Sequence, residues 1–155
     1  IDACLVGSEM CIRDRPYNDL AGWRKIKPEA KELIPWFDPE IAEGGKSNLR
    51  NRWVAIRYRG KTCYAQWIDV GPFETNDGAY VFGDARPKTR HNNGVGLDIS
   101  PAVRDFLEFK SGEACDWKFV ELPDVDAGPW MKYGMNNPFS WARYRAIVRN
   151  LWTSR

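Results

Sequence analysis

Histidine is almost absent from this chain of 155 residues: the single one, His91, stands in the loop-like run Arg90-His-Asn-Asn-Gly94. With no Cys or carboxylate cluster at ligand spacing around it, that imidazole does not make a metal site, and no cofactor is expected. A Gly-x-Gly-x-x-Gly fingerprint and a phosphate-binding loop are also missing, so no nucleotide is implied. No apolar run approaches the roughly 20 residues of a membrane span. Charge of neither sign dominates: 23 Lys and Arg against 21 Asp and Glu leave a formal +2. That is too little to point to a nucleic acid or, by itself, to a membrane. There is no internal repeat and no low-complexity segment. Cysteine is scarce, with four in the chain.

What is present is one domain's worth of chain and an abundance of rings. Eight Trp, six Tyr and seven Phe make 14% of the residues aromatic. Such flat faces serve both to pack a small β-rich core and to stack on sugar rings. The stretch from Cys4 to Arg15 has neither helical nor alternating periodicity. It is similar to the in-frame translation of a sequencing adapter, so residues 1–15 are expected to be an artefact outside the fold. On that reading the true start of the domain, with any signal peptide, is cut away. Cys4 and Cys11 then carry no information. Cys63 and Cys115 remain, either as one disulfide in an exported protein or as small buried hydrophobes.

From Pro16 to Leu49 the chain is broken by Pro28, Pro35, Pro39 and Gly44-Gly45, with Trp23, Trp36 and Phe37 as scattered anchors. It reads as mostly irregular, with one short helix near Glu29 to Leu33. Trp53-Val-Ala-Ile-Arg-Tyr-Arg59 then alternates bulky and polar residues, Gly60-Lys61 is a turn, and Thr62 to Ile68 resumes the β pattern, which is a hairpin signature. Ala79 to Phe82 reads as a short strand between two polar loops, and Leu97-Asp-Ile99 as another. Ser100 caps a helix with Pro101 in its first turn and Val103, Phe106 and Leu107 on its buried stripe. Trp117 to Leu122 is a last strand. Finally, Phe139 to Trp152 sets Trp141, Tyr144, Ile147, Val148 and Leu151 at helical spacing against Arg143, Arg145 and Arg149. That basic amphipathic helix could lie on a membrane or dock on its own domain. Trp53, Ile56, Trp67, Val81, Phe106 and Val120 are the expected core.

The order of β-hairpin, Asp69-Val-Gly-Pro-Phe73, polar loop, Leu97-Asp-Ile-Ser-Pro-Ala102, helix and final strand resembles the double-psi β-barrel of rare lipoprotein A. More distantly it resembles expansins and family-45 endoglucanases. In the rare lipoprotein A group the first motif is Asn-Asp-Arg-Gly-Pro-Phe, which Asp69, Gly71, Pro72 and Phe73 match while Ile68 and Val70 depart. The second motif of expansins and their glucanase relatives contains His-Phe-Asp, where this chain has Gly96-Leu97-Asp98. The group's upstream Glu and His have no counterpart between Pro16 and Arg52. The resemblance implies a mainly β fold: a six-stranded double-psi β-barrel over residues 51–130 with one short inserted helix. An irregular segment at 16–50 precedes it, and a tail with a C-terminal helix at 131–155 follows.

The same resemblance implies an exported bacterial protein acting on peptidoglycan or a related polysaccharide, as a lytic transglycosylase or glycoside hydrolase. Asp69 and Asp98 are the catalytic candidates, and Trp67, Gly71, Pro72, Phe73, Tyr80, His91 and Asn93 the substrate-binding ones. Cleaving a glycosidic bond needs a carboxylic acid to protonate the leaving oxygen and usually a second carboxylate. A lytic transglycosylase needs one acid/base, because an internal sugar hydroxyl replaces water. The competing roles are structural. Asp69 before Val-Gly-Pro can fix a turn, and Asp98 can support the next helix through its dipole. Glu74, Asp77 and Asp84 are expected to be solvated loop residues. The alternative functions are a non-catalytic, expansin-like polysaccharide binder and a barrel used for protein interaction.

Overall fold

Two residues with positive φ build the centre of the protein. Tyr58 pairs directly with Lys61, and the loop between them is Arg59 (φ 47°) and Gly60 (φ 82°). Positive φ at both central positions is the backbone twist that lets a two-residue loop join twisted antiparallel strands. The turn therefore falls one residue earlier than the sequence suggests. The hairpin is β4 (Trp53–Tyr58) and β5 (Lys61–Trp67), and β7 (Asp116–Val120) pairs antiparallel on the far side of β4. The computed structural model describes residues 11–14, 16–68, 74–90, 94–132 and 137–139.

On the other side of β5 lies β1 (Cys11–Asp14), parallel to it, and beyond β1 runs β6 (Asp98–Ile99), antiparallel. The sheet order is β6-β1-β5-β4-β7, with β2 (Leu20–Gly22) and β3 (Lys25–Ile26) as a separate pair. Among the described residues the sheet does not close on itself, so the architecture is two sheets with several short helices. Residues 11–14, expected to lie outside the fold, fill a strand position between β5 and β6. Pairing is made by backbone groups, so an unremarkable sequence can occupy such a slot.

The helices differ in part from expectation. Helix α1 (Ala30–Leu33) stands where the sequence placed it. An unforeseen α2 (Pro39–Glu43) starts at Asp38, whose side chain accepts the Glu40 N–H at 2.8 Å, with Pro39 in the first turn. The expected strand at Ala79 to Phe82 is instead helix α3 (Gly78–Val81). Its β-rich composition is overridden by packing: Phe82 must sit on Phe119 and against Tyr17 and Trp36, at 5.9, 5.5 and 6.1 Å between centroids. Helix α4 (Pro101–Leu107) is as read, with Ser100 accepting the Val103 N–H.

Register assigns the faces. Val54 and Ile56 stand opposite Ala65 and Cys63 on one side and Phe119 and Trp117 on the other, so these residues share one face. Trp67 joins them two residues after Ala65. Residues 16–50, expected to be a mostly irregular N-terminal segment, cover this face as part of one core: Tyr17, Ala30, Ile34 and Leu49 are all buried in it. The opposite face is covered only in part, by Trp130 on Tyr64 and Phe139 on Trp53. Of the six expected core residues, Trp53, Ile56, Trp67 and Val81 are buried, and Phe106 and Val120 are half-buried against the cluster. The C-terminal helix expected from Phe139 to Trp152 lies, after Phe139, outside the described residues.

Cys63 and Cys115 are not joined in a disulfide; Cys63 is fully buried and Cys115 half-buried. Burial pushes the Cys63 thiol up from 9.0 to about 12. The folded state thus keeps a proton that the unfolded chain loses above about 9, so the associated stabilisation is whole below that pH and is lost as pH rises toward 12. Denaturant midpoints measured from about pH 8 to about pH 11 should fall for the wild type and fall less for Cys63→Ala. Equal slopes for the two proteins would mean that the thiol titrates normally. Tyr17, pushed up to about 12 mainly by burial and next by Glu29 and Asp19, adds alkaline sensitivity to both, as do Tyr64, Tyr80 and Cys115, whose pKa values burial also raises.

Candidate functional site

The parallel pairing of β1 with β5 decides which strand ends come together. Ile12 stands opposite Trp67 on one side and Ile99 on the other, and Asp14 stands opposite Asp98. The C-terminal ends of β5 and β1 and the start of β6 therefore lie at one end of the sheet. Trp67 and Ile99 are about two strand spacings apart, roughly 9–10 Å. Asp98 is exposed at that end, as the first residue of β6 and two residues before the cap of α4. Asp69, Gly71, Pro72 and Phe73, and likewise His91 and Asn93, lie outside the described residues.

A buried polar cluster holds the segment that follows the first of these stretches. Glu74 Oε1 accepts the N–H groups of Thr75 and Asn76 at 3.1 and 3.0 Å. Lys27 Nζ donates to the Thr75 carbonyl at 2.6 Å and also to Asn76 Oδ1, and lies 5.0 Å from the Tyr17 ring centroid. Burial depresses the Lys27 pKa, against the pull of Glu29, Asp19 and Glu74. Asn18 N–H donates to the Thr75 carbonyl at 2.9 Å, and Asp77 N–H to the Pro16 carbonyl at 2.9 Å. Asp19, fully buried, accepts from Ser47 Oγ at 2.5 Å and the Asn48 N–H at 2.7 Å. The chain entering the domain is thus stitched to residues 74–77.

Asp77, expected in solvent, is also completely buried. Its Oδ2 accepts the Lys88 N–H at 2.7 Å, which ties the loop after α3 back to the start of that helix. Its Oδ1 faces Lys88 Nζ at 3.8 Å and has no hydrogen-bond donor among the described residues. A buried carboxylate requires such partners. The sequence places Asp77 in a polar loop, with no sign that Lys88 would be folded over it. Glu74 is half-buried and Asp84 exposed.

Two aromatic binding candidates turn out to hold the framework. Trp67 has no accessible surface, with its ring 4.9 Å from Phe119 and 5.4 Å from Trp117. It has no face to offer a sugar, because its place in the alternation of β5 points it to the covered side of the sheet. Tyr80 is half-buried on α3; its hydroxyl accepts the Trp117 indole N–H at 2.8 Å, and burial raises its pKa. A Cβ on Gly96 would overlap this hydroxyl and Pro87. Glycine is therefore the residue that fits before Leu97-Asp98, and Tyr80 braces the approach to Asp98.

The partly covered face of the sheet carries a groove of about 810 Å³ along β7. Ala55, Arg57, Thr62 and Tyr64 form its floor, with Asp116, Lys118, Glu121 and Asp124 around it. The Tyr64 hydroxyl donates to Asp126 at 2.9 Å. Among the described residues no three His, Cys, Asp or Glu side chains are placed to hold a metal, and no helix is long and apolar enough to cross a membrane. No protein-family model, curated protein or solved structure matches this chain.

Proposed function

We propose that the protein acts on a polysaccharide, peptidoglycan or a related glycan, as an exported lytic transglycosylase or glycoside hydrolase of the double-psi β-barrel type. Asp98 and Asp69 are its working carboxylates. The observation that carries the reading is the shared strand end. Asp98 opens β6 where β5 ends, and Asp69 is two residues beyond the last residue of β5. The linked motifs, the capped helix after the second motif and the last strand returning to β4 support the same resemblance. On this reading the sheet is that of a six-stranded double-psi barrel. Lys27 and Asp77 are its positioning residues, one holding the chain after the first motif and the other the loop that leads to Asn92 and Asn93. Gly71, Pro72, Phe73, His91 and Asn93 then line the cleft.

An exposed Asp98 alone does not make a strong acid catalyst, because a proton donor near neutral pH needs its pKa raised by desolvation, which bound glycan would supply. The expected result for Asp98→Asn and Asp69→Asn is loss of muropeptide or oligosaccharide release from sacculi and β-glucans by about a hundredfold or more, with the thermal midpoint almost unchanged. Release products are read by chromatography and folding by circular dichroism. Full activity in both variants removes the catalytic reading. Glycan binding without product in the wild type would favour the expansin-like binder instead.

A further inference from the structure

Trp23, an apparent anchor in the sequence, is 92% exposed. It occupies the tip of the β2–β3 hairpin, where Gly22 pairs with Lys25 and Trp23-Arg24 form the two-residue loop. This tip is rigidly mounted. Arg24 holds a left-handed conformation, φ 55°, and its backbone and Cβ rest against Gly45, itself at φ 65°, where a Cβ on the glycine would overlap them. At the base, Leu20 N–H donates to Asn18 Oδ1 at 3.1 Å and Lys27 N–H to the Asp19 carbonyl at 2.8 Å. Asp19 is in turn buried under Ser47 and Asn48. The fold thus uses a non-glycine residue in a conformation that disfavours it, and a glycine seat, to hold an indole in water.

The surroundings of the ring define what it suits. Ala21, Gly22, Arg24, Lys25 and Lys46 are all exposed, and the three cations enter no ion pair among the described residues. The other large hydrophobics exposed among the described residues, Val95 and Leu122, belong to other segments. One ring without apolar neighbours is a poor membrane anchor, since interfacial binding grows with buried apolar area. It is also a poor centre for a protein interface, where hot spots sit in closely packed surroundings that exclude water. A single flat face whose chain neighbours Arg24 and Lys25 are cationic, with Lys46 following the Gly45 that seats Arg24, matches one sugar ring of a polymer that carries carboxylates.

We infer that the β2–β3 tip is a second glycan site, in which Trp23 stacks on a sugar ring of an acidic polysaccharide while Arg24, Lys25 and Lys46 meet its carboxylates. This rests on the polysaccharide reading above and adds to it a site that takes no part in bond cleavage. The test is co-sedimentation of the full chain with peptidoglycan sacculi, with carboxymethylcellulose affinity electrophoresis and with vesicles of phosphatidylglycerol and phosphatidylcholine. Trp23→Ala should weaken binding to both glycans roughly five- to tenfold, Trp23→Tyr should keep most of it, and neither should move the thermal midpoint. Lys25→Glu combined with Lys46→Glu should weaken binding to the acidic glycans but leave neutral cellulose unaffected. If the wild type binds glycan and Trp23→Ala binds equally well, this site is excluded while the enzyme reading stands. If Trp23→Ala loses only vesicle binding, the tip is a lipid contact and the inference is wrong. Absence of any glycan binding by the wild type overturns both readings together.

Discussion

Deleting residues 1–15 is expected to lower the thermal midpoint by roughly 5–10 °C. The deleted segment includes β1, which is the fourth of five strands in physical order reading from β7 through β4 and β5. Removing it strips β5 and β6 of a shared partner and leaves β6, two residues long, with no neighbour in the sheet. The backbone groups that face β1 then need water or a new partner, each costing about 0.5–1.5 kcal/mol in net hydrogen bonding. Circular dichroism melts of the 1–155 and 16–155 chains decide the matter. An unchanged midpoint would restore the expectation drawn from the adapter-like sequence and its lack of periodicity, that this stretch is incidental to the fold. The same deletion should reduce any glycan activity, since β1 separates the strand ends from which Asp69 and Asp98 are reached.

Trp67→Ala should destabilise the protein by about 3–5 kcal/mol, the usual cost of truncating a large buried ring. Trp67 has no exposed surface and stands at the meeting point of Phe119 and Trp117, so nothing nearby can collapse into the space without disturbing both rings. In a chain of marginal stability this approaches complete unfolding at physiological temperature. Urea titration should show the loss, and glycan binding should follow the folded fraction with no separate decline. A variant that kept its urea midpoint yet lost binding would place Trp67 on the ligand surface. Trp23→Ala should give the reverse pattern, which makes the two tryptophans controls for each other.

Several elements were readable because their signals are local. The β4–β5 alternation, the Ser100-Pro101 start of α4 and the Asp98 strand depend on residues within one or two turns of themselves, and each forms where its pattern lies. Ala79 to Phe82 had β-forming residues, but the ring contacts of Phe82 with Phe119, Tyr17 and Trp36 favoured a helical turn. Asp77 was misjudged because its burial depends on Lys88, eleven residues away across a loop. The candidate site was legible as a pair of motifs. Its support by Lys27 and Asp19 was not, since both acquire their roles from residues 74–76 and 47–48.

By itself the sequence determined the central hairpin, the capped α4, the last strand and the order in which the two aspartate motifs are visited. These are fixed by alternation, capping and turn chemistry over short spans. Only the tertiary structure decided that residues 11–14 fill the slot between β5 and β6, that Trp67 is sealed in the core, and that Trp23 stands in water. The physical reason is that a tryptophan's identity sets how much surface it has to bury, whereas its burial depends on what chain folds against it. For Trp67 that covering comes from β7 and its rings, about 50 residues downstream. For Trp23 the two-residue turn at the hairpin tip brings no chain over the ring, and the nearest segment, at Gly45, is engaged by Arg24 instead.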